Sequence, residues 1–229
     1  MTIGILQCGA PPEPLAAAHG SYGAMVRRLL GPGRDSVVFD AEGGALPAAA
    51  TACDAYVLTG SPAGVYDDLP WIPGLIRFLQ AARGQAKLVG ICFGHQAMAM
   101  AFGGAVIQSP KGWGIGLHRY TVRHRAPWMA GDTAAEIAAA ASHQDQVVEC
   151  PPGARIIADS AFTPYAALDY GDAISFQFHP EFSPAFATAL IEARRNRFGA
   201  GADAAIASYA APDDGARIGG WIRRFLDAA

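Results

Sequence analysis

The chain has 229 residues, 52% of them hydrophobic and 16% charged, so it can bury a large core. A net charge of −3 gives no electrostatic footprint for nucleic acid or an anionic membrane surface, and neither is expected as a partner. No apolar run approaches the roughly 18 residues of a membrane span, and Met1 to Pro14 lacks the basic and apolar regions of a signal peptide, so a cytoplasmic location is expected.

In chain order, TIGILQC reads as a strand and SYGAMVRRLLG as a helix ending at Gly31. DSVVFDA and CDAYVLTG read as the next two strands. WIPGLIRFLQAARG has helical spacing and a stop at Gly84, AKLVGI is a strand, and HQAMAMAFGG is a helix closed by Gly103 and Gly104. The alanines and methionines of that helix predict a buried supporting face. Strand–helix alternation predicts an α/β fold with three layers, a mostly parallel central sheet covered on both faces. Such a sheet carries chemistry at the carboxyl ends of its strands.

The second half reads differently. LHRYTVR, ARIIADS, YAALDYG and AISFQFHP are short strands with little helix between them, expected to extend the sheet in antiparallel or mixed fashion. In the last of these, Ile174, Phe176 and Phe178 alternate with Ser175, Gln177 and His179, as on a half-buried strand. SPAFATALIEARRNRF and DDGARIGGWIRRFLDA are helical. With no repeat or linker in evidence, one domain over residues 1–229 is the simplest organisation.

There are four cysteines, Cys8, Cys53, Cys92 and Cys150, in no CxxC pair and with no zinc-ligand spacing to the histidines, so no metal is expected. Three read as small hydrophobes. Cys92 differs, because Gly90-Ile91-Cys92-Phe93-Gly94 follows a strand and opens a helix. A nucleophile on such a turn sits in a strained conformation, and its neighbours must pass close by without Cβ atoms. The helix N-terminus favours the thiolate, the reactive form. The Phe93 N–H would point to the same spot as one oxyanion donor.

A thiol of this kind needs a base. His95 lies within the first turn after Cys92, beside it rather than across from it. His118 and His124 fall in a charged stretch expected to be solvated, His19 reads as a helix-start residue, and His143 sits in a polar loop that could approach the site. His179 is the best choice: it ends an apolar strand, Pro180 stops strand pairing, and Glu181 can hold the imidazole in one tautomer. Cys92, His179 and Glu181 would serve as nucleophile, base and orienting group.

Four segments, in order, resemble the class I glutamine amidotransferase family: VLTGSPAGVYDD (57–68), GICFGHQAMAMAFGG (90–104), SHQDQV (142–147) and FQFHPE (176–181). SHQDQV is similar to a loop seen especially in GMP synthetase-type members. The resemblance implies a flavodoxin-like sheet and attack by Cys92 on the glutamine side-chain amide, with no cofactor. His179 would carry the proton, and the Gly60 and Phe93 N–H groups would hold the oxyanion. Gln96 resembles the glutamine-contacting residue after the elbow, and Ser142 and His143 would border the same pocket. No GxxxxGK[ST] loop marks an ATP site, so an ammonia-accepting synthetase would be a separate partner. KGW-IG (111–116) resembles stand-alone members that include γ-glutamyl peptidases, which expel an amino acid or peptide with the same triad. The substrate is therefore expected to be glutamine or another γ-glutamyl compound. A non-catalytic regulatory domain is the third alternative, and the intact triad argues against it.

Overall fold

Strands and helices alternate through the first half of the computed structural model, which describes residues 1–228. Its elements are β1 (Thr2–Gln7), α1 (Glu13–His19), α2 (Tyr22–Leu30), β2 (Asp35–Asp40), β3 (Ala55–Leu58), α3 (Trp71–Ala82), β4 (Lys87–Ile91) and α4 (Phe93–Ala101). The second half holds β5 (Ala105–Gln108), β6 (Gly114–Val122), β7 (Glu136–His143), β8 (Asp145–Glu149), β9 (Arg155–Asp159), β10 (Ala167–Asp169) and β11 (Ala173–Phe176). It ends in α5 (Pro184–Ala193), α6 (Arg195–Phe198), α7 (Gly201–Ser208) and α8 (Gly215–Asp227).

Nine strands form one sheet in the order β2-β1-β3-β4-β11-β10-β9-β6-β7, and β5 pairs with β8 in a small antiparallel ribbon. From β2 to β11 the neighbours are parallel; from β11 to β7 they are antiparallel. The expected extension of a parallel sheet by antiparallel strands is what forms. β3 and β4 are buried along their whole lengths or nearly so, as strands covered on both faces must be, and they read as continuous apolar runs. β2 closes one edge, with Asp35 and Asp40 at its two ends and Val37 exposed.

Two apolar clusters lie on opposite faces of the sheet. On one face Ile3, Val57 and Val89 meet Val26 and Leu30 of α2 and Ile218, Trp221 and Ile222 of α8. On the other Leu6, Tyr56 and Leu88 meet Leu75 and Leu79 of α3 and Ala97 and Met98 of α4. The ends of α2 follow from its sequence: the Ser21 hydroxyl accepts from the Ala24 N–H, and Gly31 closes it at φ 84°.

Several expectations are corrected. His19 ends α1 rather than starting a helix, and packs edge-on against Phe186. His118 is half-buried against Phe162 rather than solvated. SHQDQV is no loop: His143 ends β7, and Asp145 begins β8 after a single residue. The alternating segment is not half-buried, since Ala173 to Pro180 is buried throughout and strand pairing in β11 stops at Phe176. Within α4, Met98 is fully buried but Met100 reaches solvent. Unassigned in the sequence, EIAAAASH forms β7 because it pairs with β6 in an unbroken register from Gly114↔His143 to Thr121↔Glu136. Its alanines, weak strand formers alone, leave room for Phe182 and Phe186 to pack on Ala140. Among the described residues no helix is long and apolar enough to cross a membrane.

Candidate active site

Three adjacent parallel strands, β3, β4 and β11, end at the same edge of the sheet. Gly60 follows β3, Cys92 follows β4, and His179 lies just beyond β11. Segments distant in sequence thus deliver their side chains to one place, because parallel register puts all three carboxyl ends together.

Cys92 has φ 52° and ψ −103°, and among the described residues it is the one non-glycine with a positive φ. That conformation costs an L-residue roughly 1–3 kcal/mol and persists only where the surroundings impose it. The surroundings are visible. The Cys92 N–H donates to the Phe176 carbonyl at 2.8 Å, continuing the β4–β11 pairing, while its own carbonyl already accepts from the Gln96 N–H at 3.1 Å to open α4. A Cβ on Gly90 would come within 2.6 Å of the Gly94 carbonyl oxygen, and one on Gly94 within 2.6 Å of Leu58 Cβ. The two glycines are therefore required for α4 to pack down on the strands.

His179 is placed twice over. Its N–H donates to the Ala140 carbonyl at 2.9 Å, a bridge across to β7, and its ring stacks on Phe182 at 3.9 Å between centroids and 8° between planes. Nδ1 donates to Glu181 Oε1 at 2.7 Å, and both side chains are almost wholly buried. This leaves Nε2 for the thiol, which the ring faces. Burial opposes a charge on His179, but the Glu181 carboxylate and Cys92 outweigh it and push the imidazole up to about 10. A Cβ on Gly60 would lie 2.9 Å from His179 Cε1 and 3.7 Å from Cys92 Cβ, so only glycine fits there. The Gly60 and Phe93 N–H groups donate to no protein acceptor among the described residues, and Phe93 is the first residue of α4, where N–H groups have no partner within the helix.

Cys92 opens into a cavity of about 570 Å³. Gln96, Ser142 and His143 all line it. Gln96 does so at one remove, since its amide donates to the Asp145 carbonyl at 3.0 Å and to Gln177 Oε1 at 3.2 Å. Further charged or polar side chains of the wall have no role assigned from the sequence, among them Tyr66, Asp67, Asp145, Arg194 and Arg197. Asp67 and Asp145 converge on Gly64, with the Tyr66 hydroxyl facing Asp145, and Arg194 caps α5, the helix that packs through Phe186 on Phe182 beside His179. Tyr66 and Asp67 fall within VLTGSPAGVYDD and Asp145 within SHQDQV, but Arg194 and Arg197 carry no local signal. Among the described residues no group of three or more His, Cys, Asp or Glu side chains gathers in metal-binding geometry.

The other buried histidines do different work. His95 points away from the cavity, its Nδ1 2.7 Å from the Ser175 hydroxyl, and burial lowers it to about 3. His143 donates from Nδ1 to the Asp145 carbonyl at 3.2 Å, and burial, then His118 nearby, lower it to about 3. Both stay neutral in the folded chain, whereas an unfolded chain protonates them below about 6.5. Stability from this source is complete above pH 6.5 and is lost as pH falls toward 3. Urea titrations from pH 7 to pH 4 should show stability falling by about 1 kcal/mol per pH unit for each imidazole. His95→Gln should make that slope shallower; an unchanged slope would refute the assignment.

The chain as a whole is similar to known proteins. The glutamine amidotransferase class-I family model matches residues 24–194. A glutamine amidotransferase-like protein of Schizosaccharomyces pombe is 28% identical over 212 residues, 84% of each chain. Gamma-glutamyl peptidase 3 of Arabidopsis thaliana is 31% identical over 57% of this chain and 55% of its own. The GMP synthase of Thermomicrobium roseum is 35% identical over 55% of this chain, but the match spans only 23% of that longer protein. In fold, a glutamine amidotransferase from Thermotoga maritima superposes with TM-score 0.80 at 16% identity, covering 100% of this chain and 99% of that one. The chain belongs to the class-I glutamine amidotransferase family.

Proposed function

We propose that the chain hydrolyses the γ-amide of glutamine or of a γ-glutamyl compound through a Cys92 thioester. The observation that carries the reading is the strained Cys92 facing a buried His179–Glu181 pair at the mouth of a cavity. In this reading the Cys92 sulfur attacks the amide carbonyl, and the oxyanion that forms is held by the Gly60 and Phe93 N–H groups. His179 takes the thiol proton at Nε2 and delivers it to the nitrogen as the C–N bond breaks. Ammonia or an amine leaves. Water, deprotonated by His179, then cleaves the thioester and releases glutamate and the thiol. Glu181 holds Nδ1 throughout and stabilises the imidazolium.

Glutamine is the minimal substrate, and a separate synthetase would consume the ammonia. A γ-glutamyl peptide is the second reading, favoured by the size of the cavity, which runs past Cys92 toward Trp113 and Arg194. Incubating the chain with glutamine and with γ-glutamyl dipeptides, and measuring glutamate, separates the two. Turnover of glutamine alone supports the first; turnover of dipeptides supports the second; turnover of neither refutes both. Glu181→Gln should keep the hydrogen bond to Nδ1 but remove the charge, lowering kcat by roughly 10²–10⁴-fold. It should also shift the alkaline limb of the pH–rate profile to lower pH, since Glu181 helps keep His179 protonated. A limb that stays in place would contradict the orienting role.

A further inference from the structure

The wall of the catalytic cavity is divided by charge. On one side of Cys92 stand Asp67 and Asp145, gathered around Gly64, and Gln96 is tied to the Asp145 carbonyl. Arg194 and Arg197, at the junction of α5 and α6, line the cavity as well, and α5 packs through Phe186 on Phe182, the ring stacked on His179. Arg195 between them is committed to Glu192 and Asp203, at 2.7 Å each. Arg194 and Arg197 form no ion pair among the described residues, although both border the cavity. Surface arginines without partners are ordinary, but two lining the cavity of a reactive cysteine are not a solvated face.

The position of Arg194 says which part of a substrate it would meet. Arg194 caps α5, whose Phe186 packs edge-on against Phe182 at 4.6 Å, and Phe182 stacks on His179 at 3.9 Å. Arg194 is thus fixed on the side of the cavity that holds the base. The group protonated by His179 as the amide breaks is the leaving nitrogen, so whatever is attached to that nitrogen extends toward Arg194. The acidic side remains for the α-ammonium of the glutamyl portion.

We infer that Arg194 and Arg197 select γ-glutamyl substrates whose leaving group carries a carboxylate, an amino acid or short peptide with a free C-terminus. The inference rests on the γ-glutamyl reading above and names the half of the substrate that the triad does not specify. Planar guanidinium forks suit a carboxylate, and a charge-assisted contact of this kind discriminates by about 10- to 100-fold. Arg194 and Arg197 are specificity-determining residues here and take no part in bond making.

The test compares kcat/KM for a γ-glutamyl dipeptide with a free C-terminal carboxylate and for the same dipeptide as its C-terminal amide. The wild-type chain should prefer the free acid by about 10-fold or more, and Arg194→Gln with Arg197→Gln should bring the ratio near one. Because a ratio is read, general damage to the enzyme cancels. Arg197→Gln alone, at an exposed position, should lower the ratio part of the way and covers the case in which the half-buried Arg194 variant fails to fold. A wild-type ratio near one, or a ratio unmoved by the variants, overturns this inference and leaves the γ-glutamyl reading intact. Absence of turnover on glutamine and both dipeptides overturns the two together.

Discussion

Cys92→Ala should abolish glutamate release from every γ-glutamyl substrate, by roughly 10⁴-fold or more, while leaving the fold in place. The loss follows from removing the one atom that forms the acyl bond; His179 and Glu181 have nothing to activate without it. A variant that keeps full turnover would move the chemistry elsewhere in the cavity. Cys92→Gly separates the strain of the turn from its reactivity. At φ 52° the backbone cost to a side-chain-bearing residue is roughly 1–3 kcal/mol. The entropy glycine loses on folding is about 0.5–1 kcal/mol. Strain is the larger effect, so Cys92→Gly should be more stable than Cys92→Ala by about 1 kcal/mol, though equally inactive. Thermal unfolding of the two variants checks this, and a Gly variant less stable than the Ala variant would mean that the turn stores no strain.

Gly94→Ala should be among the most destabilising single-methyl changes in the chain. Alanine gains about 1 kcal/mol in helix propensity over glycine, and at an exposed helix position it would stabilise. Here the new Cβ would sit 2.6 Å from Leu58 Cβ and 2.9 Å from the Leu58 carbonyl oxygen, both in β3. Backbone cannot step aside as a flexible side chain can. The overpacking cost, about 3 kcal/mol or more, wins, and should lower Tm by roughly 6–12 °C. Activity should fall with it, since α4 carries the Phe93 N–H and can relieve the clash only by lifting away from the strands. Gly90→Ala should behave alike, its Cβ 2.6 Å from the Gly94 carbonyl oxygen. Wild-type stability in Gly94→Ala would show that the elbow is looser than its distances indicate.

Much of the site was legible because it is built from locally constrained residues. A glycine on each side of a cysteine, between an apolar strand and a helix, states the steric requirement of the turn in five letters. His179 and Glu181, two residues apart around Pro180, state the proposed base and its orienting group in three, although strand pairing already stops at Phe176. What stayed illegible depends on contacts remote in sequence. EIAAAASH carries no strand signal, and becomes β7 only because β6 pairs along its full length and α5 needs small residues beneath its phenylalanines. The charged neighbours of His118 predict a solvated ring, yet Phe162 from a distant loop covers it. Arg194 looks like any other arginine in ARRNRF until α5 is packed beside Phe182 and His179. Sequence patterns report periodicity and local sterics; they do not report which two of the three arginines are left without a carboxylate.

The bridge between His179 and Ala140 bears on how the chain matures. Cys92 emerges early in synthesis, on strands that pair among themselves, but its base is positioned only once β7 and the segment after β11 have met. These are late, long-range contacts, the slow kind in folding. On the proposed reading, the thiol meets its base only when residues 136–181 have folded together, so any change that loosens β7 from that segment should cost activity before it costs the turn at Cys92.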